Sequence, residues 1–357
     1  MVTISLCMIV KNEELLLARC LDSVVDLVDE INIIDTGSTD NTVQIAKEYT
    51  NRVFFYKWNG DFAAARNASF DHATKDYILY LDADDVIEKK DQLKLNKLKE
   101  TLDPSVDSVS MYYHAGLDNY GNVTLKYRRN RLVKRTRNFK WCGDVHNYLK
   151  VHGTIIHSDV AITHKKEKHS VSRNLDIYQK KIERGDTFSA RDHFYYGNEL
   201  RENKKFNRAI KAYESNIASE DGWSEDKFFS CIFKADCFKM LEQPEEERKA
   251  LIESLQFSKK IRPEMSCRLG DYYLRKKDYA SAIVWYNESL SIRTDSNQWS
   301  FSFPAYSSWY PHLQLCVCYY KLKQYQQAFD HNKKASIYLP DHPKVIYNHE
   351  LLARIIE

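Results

Sequence analysis

The stretch Ile78-Leu79-Tyr80-Leu81-Asp82-Ala83-Asp84-Asp85 passes in one step from an apolar run to three clustered carboxylates. Ile78, Leu79, Tyr80 and Leu81 read as a buried strand. A buried strand that ends in ionised acids needs a counter-charge, because a desolvated carboxylate is costly when unpaired. A divalent cation shared with a phosphate would supply that charge. The plain alternative is a surface turn rich in Asp.

The residues upstream decide between these readings. Residues 3–10 read as a strand and 12–24 as an amphipathic helix. A second strand follows over 30–35, and Ser38-Thr-Asp-Asn-Thr42 opens a helix running to about Tyr49. Residues 52–56 form a third strand, 62–74 a helix and 77–81 a fourth strand. This alternation predicts parallel βαβ units and an open α/β sheet. Such sheets bind ligands beyond the carboxyl ends of their strands, where Val10-Lys-Asn, Asp35-Thr-Gly-Ser and Asp82-Ala-Asp all fall. Farther on, residues 108–114 and 122–134 flank Asp118-Asn-Tyr-Gly-Asn, a hairpin signal.

A chain of 357 residues is longer than one compact core usually holds, which predicts two domains. Hydrophobic content of 43% and aromatic content of 13% predict a folded chain throughout. A net charge of +3 lies too near balance to imply a nucleic-acid or membrane partner. The eight cysteines lack a regular framework, and Cys316-Val-Cys318 is neither a zinc nor a thioredoxin spacing, so buried free thiols are expected. The apolar residues 1–10 have no basic start or small-residue cleavage site and read as a strand rather than a signal peptide. With no membrane-length apolar run, a cytoplasmic location is expected.

From about Ser189 the pattern becomes all-helical and repeats. Gly197, Phe206, Ala209 and Tyr213 recur as Gly270, Tyr279, Ala282 and Tyr286, and again around Cys316, Tyr325, Ala328, Ala335 and Pro340. These small and aromatic positions match the roughly 34-residue tetratricopeptide pattern. One degenerate repeat is expected around Ala235, and residues 295–306 stand out as an inserted aromatic loop. Stacked helix pairs make concave surfaces that can hold a peptide; bracing the first domain or forming a homodimer are the structural alternatives.

Taken together, residues 1–170 resemble the family 2 glycosyltransferases with the GT-A fold. The resemblance rests on Ser5-Leu-Cys-Met-Ile-Val-Lys-Asn-Glu13, on Glu30-Ile-Asn-Ile-Ile-Asp-Thr-Gly-Ser-Thr-Asp-Asn-Thr42, on Trp58-Asn-Gly-Asp-Phe-Ala-Ala-Ala-Arg-Asn67 and on Leu81-Asp-Ala-Asp84, in the family's order. The repeats make the whole similar to the branch of glycocin S- and O-glycosyltransferases, which modify Cys or Ser of peptides. The domain division implied is 1–170 for the transferase, 171–188 for a linker helix and 189–357 for the repeats.

The resemblance implies a metal-dependent, inverting transfer of a hexose from a UDP-sugar to a Cys or Ser/Thr side chain, with Mn²⁺ or Mg²⁺ stabilising the departing diphosphate. Asp84 is the expected metal ligand, with His164 closing the site and Asp85 behind it. Asp82 and Ala83 are expected at the ribose or a metal-bound water, and Asp35 with the backbone near Val10 at the base or ribose. Thr36 replaces the second acid that the family often carries there. Arg66 is expected at the uracil or diphosphate. Asn12 is expected as a nucleotide-sugar contact beside Val10, although as a residue it reads more readily as a helix start. Trp141 is either a sugar-stacking ring or a core residue.

For the base that deprotonates the acceptor, Asp144 comes first and His146 second. The family branch often has Val-His-Glu where this chain has Val145-His146-Asn147. Arg129, Arg131 and Arg135 read as a solvated, charge-blunted strand edge or as an anion-binding surface. Two other functions stay open at this point. One is transfer to a surface glycan or lipid-linked carrier; the other is a repeat scaffold with a silent transferase domain.

Overall fold

The computed structural model describes residues 1–143, 145–165, 173–293, 297 and 299–357. It divides into two compact units, Met1–Gly116 with Lys126–Ser170, and Leu117–Leu125 with Val171–Glu357.

The first unit is built on strands β1 (Ile4–Val10), β2 (Glu30–Asp35), β3 (Val53–Phe55), β4 (Tyr77–Tyr80), β5 (Asp85–Val86), β6 (Ser108–Leu117), β7 (Val123–Lys134), β8 (Lys140–Cys142), β9 (Tyr148–Lys150) and β10 (Ile155–His164). Its helices are α1 (Leu17–Asp22), α2 (Thr42–Tyr49), α3 (Phe62–Asp71) and α4 (Lys89–Thr101). Eight strands form one sheet in the order β3-β2-β1-β4-β7-β6-β10-β5, while β8 and β9 pair separately. β1 pairs in parallel with β2 and β4, and β2 with β3, as the strand–helix alternation predicts.

Both faces of this sheet are covered, so its central strands are apolar on both sides. Ile4, Leu6 and Met8 of β1, with Tyr77 and Leu79 of β4, face a core completed by Leu17, Cys20, Leu21, Ala46 and Leu95 from the helices. Cys7, Ile78 and Tyr80 point the other way, toward Ala63 and Phe70 of α3 and toward Phe139, Trp141 and Leu149.

Two expectations need correction. The helix foreseen over 12–24 starts only at Leu17, because Asn12 adopts left-handed backbone (φ 55°) and ties down the loop after β2. Its Oδ1 accepts from the Thr39 N–H at 2.8 Å, and its own N–H donates to Ser38 Oγ at 2.9 Å. The arginine-rich strand is not an edge either. β7 lies between β4 and β6, and Arg131 is completely buried.

The second unit holds α5 (Arg173–Glu183), α6 (Ala190–Glu202), α7 (Phe206–Ala218), α8 (Ser224–Met240), α9 (Pro244–Glu253), α10 (Pro263–Arg275), α11 (Tyr279–Ser291), α12 (Trp309–Lys321), α13 (Tyr325–Ser336) and α14 (Pro343–Ile356). From α6 to α13 these are successive antiparallel pairs, with α8 and α9 in the place foreseen for the degenerate repeat. One contact shows why the pattern repeats. A Cβ on Gly197 would lie 2.6 Å from the Tyr213 ring, and one on Gly270 would lie 2.6 Å from the Tyr286 ring. Tyr213 donates to Asn198 Oδ1 at 2.9 Å and Tyr286 to Asp271 Oδ1 at 2.7 Å. The glycine thus admits a buried tyrosine whose hydroxyl still finds an acceptor. All eight cysteines are free thiols, and all but Cys142 are buried. Among the described residues no helix is long and apolar enough to cross a membrane.

Candidate active site

The acidic turn follows directly from the end of β4. The Asp85 N–H donates to Asp82 O at 2.9 Å, and the Asp82 N–H donates to Asp85 Oδ2 at 3.0 Å. Asp85 then enters β5, whose antiparallel register with β10 sets His164 opposite Asp85. Two residues of strand therefore bring a histidine from far along the chain onto the turn. His164 Nδ1 lies 3.2 Å from Asp84 Oδ1 and 3.7 Å from Asp85 Oδ1.

Asp85 is fully buried and is neutralised from beneath. Arg131 Nη1 lies 3.0 Å from Asp85 Oδ2 and donates to Tyr80 O at 3.0 Å, and neither charged side chain is exposed. The guanidinium packs over the rings of Tyr80 and Tyr113, at 4.8 and 4.6 Å from their centroids. Arg129, two residues earlier on β7, lies over Tyr113 at 4.7 Å. The buried carboxylate thus meets one matched counter-charge in an apolar environment, where burial without a partner would be costly.

On the other side of the turn, Arg66 of α3 donates from Nη2 to Asp82 Oδ1 at 2.5 Å. The side chain of Asp82 is 27% exposed, so this pair remains open to a ligand. Asp61 caps α3 by accepting from the Ala64 N–H at 3.1 Å, which fixes the helix that carries Arg66. Asn67 exchanges hydrogen bonds with the Trp141 backbone at 2.9 and 3.2 Å, and Arg66 lies over the Trp141 ring at 4.8 Å. Trp141 is only 5% exposed, packed edge-on against Tyr80 and Phe70. It supports Arg66 from the core, so the sugar-stacking alternative finds little exposed ring.

Charge follows this geometry. Burial would raise the Asp82 carboxyl, but Arg66, Arg131 and Arg129 outweigh it and hold the group well below the usual carboxylate range. Burial would lower the His164 imidazole, but Asp84 and Asp85 outweigh it and raise its pKa to about 9. At neutral pH the protonated imidazole therefore serves as a counter-ion to the two carboxylates.

The same three groups fit a divalent cation. Asp84, Asp85 and His164 each present a ligand atom, all within 4.8 Å of one another. Asp85 Oδ1 and His164 Nδ1 are buried, and among the described residues neither meets a partner in hydrogen-bond geometry, their contacts with each other and of His164 with Asp84 being ionic. Two carboxylates and an imidazole suit Mn²⁺ or a similar ion. Asp85 was foreseen behind the metal ligands; here one of its oxygens meets Arg131 while the other faces the cluster.

The remaining foreseen residues lie around this centre. Val10 pairs with Asp35 in the β1–β2 register, and Val10 O accepts from the Thr36 N–H and hydroxyl, both at 3.0 Å. Asp35 is 6% exposed, and its carboxylate accepts from the N–H groups of Gly37 and Ser38. Ala83 is buried in the acidic turn. His146 sits half-buried between β8 and β9 with left-handed backbone (φ 48°). Asp144 lies outside the described residues. Of the arginines, Arg131 is an internal counter-charge, and Arg135 donates to Lys75 O at 2.6 Å.

Residues 5–160 match the family model described as "Glycosyl transferase family 2". Over these residues the chain is similar to that family. Over 255 residues the chain is 27% identical to the SPbeta prophage-derived glycosyltransferase SunS of Bacillus subtilis, covering 68% of this chain and 59% of that protein. A shorter match, 36% over 87 residues, links it to an uncharacterized glycosyltransferase of Rickettsia felis, over 24% of this chain and 30% of that protein. Another, 52% over 85 residues, links it to a TPR repeat-containing protein of Synechococcus elongatus, over 24% of this chain and 21% of that protein. The chain thus spans between a fifth and three fifths of these relatives. Among solved structures, the Cut9–Hcn1 hetero-tetramer of the APC/C aligns over 52% of this chain and 33% of that chain, at 16% identity and a TM-score of 0.40.

Proposed function

We propose that this chain transfers a hexose from a UDP-sugar, with inversion, to a Cys or Ser/Thr side chain of a peptide or protein. The observation that carries the reading is the convergence of Asp84, Asp85 and His164 beside the Arg66–Asp82 pair, at the carboxyl end of β4 in a family 2 domain. Asp84, Asp85 and His164 would hold Mn²⁺ or Mg²⁺. Such a cation, when bound, supplies Lewis-acid neutralisation of the leaving diphosphate.

The chain's own residues do the rest. Arg131 supplies the buried counter-charge to Asp85 inside the core. Arg66 holds Asp82 in the ionised form that can accept a ribose hydroxyl, and its guanidinium is placed for the diphosphate or uracil. Val10, Asn12 and Asp35 shape the adjoining loops for the nucleoside. Asp144 or His146 would take the acceptor proton on the face opposite the diphosphate.

The test is a panel of UDP-sugars incubated with Mn²⁺ and the full chain, with UDP release followed by mass spectrometry. One donor should be turned over, and Asp84→Asn or a chelator should stop it. Undiminished release in chelator contradicts the proposal.

A further inference from the structure

Two histidines meet where α12 packs against α13. His312 stands in the first turn of α12 and His331 in α13, and their Nδ1 atoms lie 3.0 Å apart. The ring centroids are 5.2 Å apart, with the planes inclined by 44°. Tyr319, farther along α12, stacks on the His331 ring at 5.4 Å and 19°, which fixes the plane of that imidazole. Both histidines are half-buried.

The repeat pattern does not require this pair. His312 precedes Cys316 by four residues, and His193 and Ser266 stand at the same offset before Gly197 and Gly270. His331 follows Ala328 by three residues, as Ala212 and Trp285 follow Ala209 and Ala282. The matching positions of the other two pairs therefore hold His with Ala and Ser with Trp, whereas α12 and α13 carry an imidazole at each. Burial lowers both imidazoles to about 4, helped on His312 by the His331 ring and on both by Lys334. At neutral pH both rings are uncharged, so each keeps one nitrogen lone pair. The hydrogen bond between them uses a single proton. Moving that proton to Nε2 of its own ring leaves both rings neutral and turns two Nδ1 lone pairs toward one point.

The separation decides what fits at that point. Bonds of about 2.0–2.1 Å from one metal ion to two nitrogens 3.0 Å apart enclose an angle of about 95°. A tetrahedral angle would need nitrogens about 3.3 Å apart at the same bond lengths. Imidazole donors near a right angle match the square-planar or tetragonal sites of Ni²⁺ and Cu²⁺. Among the described residues no carboxylate or thiol completes a three-ligand cluster with the pair, so water would take the remaining positions.

We propose that His312 and His331 form a binding site for a late first-row divalent cation, Ni²⁺ or Cu²⁺, which clips α12 to α13. The pair shares no residue with the Asp84–Asp85–His164 cluster, so the site stands whether or not that cluster holds a metal.

The test is calorimetric titration of Ni²⁺ onto the full chain and onto three variants, His312→Gln, His331→Gln and His164→Gln. His312→Gln and His331→Gln should each lose one bound Ni²⁺, or hold it about tenfold or more weakly, the loss expected when one of two protein ligands is removed. His164→Gln, which takes the imidazole from the acidic cluster, should retain that Ni²⁺. Unchanged Ni²⁺ binding in either His312→Gln or His331→Gln, with wild-type circular dichroism, overturns the proposal. So does a wild-type chain whose Ni²⁺ binding disappears entirely in His164→Gln. Should a variant fail to fold, hydrogen exchange on the wild type decides. With free Ni²⁺ at about ten times its Kd, the amides of α12 and α13 should exchange about tenfold more slowly, because a ligand held only by the closed pair suppresses its opening by that factor. Exchange of α12 and α13 that Ni²⁺ leaves unchanged overturns the proposal.

Discussion

Arg131 and Asp85 form an ion pair at 3.0 Å with neither side chain exposed to solvent, directly beneath the acidic turn. The pair converts a strand end crowded with carboxylates into a stable platform, with one Asp85 oxygen neutralised and the other turned to Asp84 and His164. Arg131→Met leaves Asp85 buried without its partner. The expected cost is about 3–5 kcal/mol of unfolding free energy, typical for removing one member of a buried pair. Urea denaturation of the variant against wild type measures it, and a loss within the range of surface substitutions would show that the pair contributes little.

The imidazole of His164 gives the site a pH dependence of definite sign. Its folded pKa is raised from 6.5 to about 9, so its pairing with Asp84 and Asp85 stabilises the fold fully below pH 6.5 and is lost as the pH rises toward 9. Metal binding runs the opposite way, because a cation requires the neutral imidazole. Mn²⁺ affinity should therefore climb between pH 6.5 and 9, with a proton released on binding. Calorimetry in buffers of different ionisation enthalpy checks this, and His164→Gln should flatten the climb.

How much of this was legible beforehand follows from which interactions are local. Strands β1 to β4 and the helices between them were readable because hydrophobic period and turn chemistry agree over short stretches. Asp82, Asp84 and His164 were marked by residue type at strand ends. The role of Arg131 was not. In sequence it is one base among many in residues 126–140, and only the placement of β7 beside β4 turns it inward onto Asp85. Asp85 itself looked secondary because β5 is two residues long, too short to leave a periodic signal. Asn12 departed from its helix-start pattern because its side chain serves a tertiary bond to Thr39. Residues 300–306 were visible as aromatic, but their partners Phe194, Phe229 and Glu264 lie on three separate helices.

Arg66 is expected to tolerate lysine poorly. It donates to Asp82 while stacking over Trp141, and a lysine ammonium lacks the planar group that does both. Arg66→Lys should weaken UDP binding about tenfold or more, a loss on the scale of one or two charge-assisted hydrogen bonds. Fluorescence or calorimetric titration reads the affinity, while an unchanged melting temperature confirms that the fold is intact.

The repeats depend on close approach at two glycines. A Cβ at Gly270 would stand 2.6 Å from the Tyr286 ring, which is itself fully buried. Gly270→Ala should cost about 1–3 kcal/mol, the usual range for overpacking a filled core. Gly197→Ala should do the same through Tyr213. Differential scanning calorimetry of the two variants checks both, and a change below about 0.5 kcal/mol in each, the range of neutral surface substitutions, would remove this account of the repeat.

The metal-assisted UDP-sugar site proposed at the acidic turn makes UDP affinity depend on Mn²⁺ and on Asp84. Calorimetric titration of UDP onto the full chain, with Mn²⁺ and then with chelator, tests it most directly when repeated on Asp84→Asn. Binding that needs Mn²⁺ and is lost in Asp84→Asn is the predicted result; equal binding in chelator and in Asp84→Asn contradicts it.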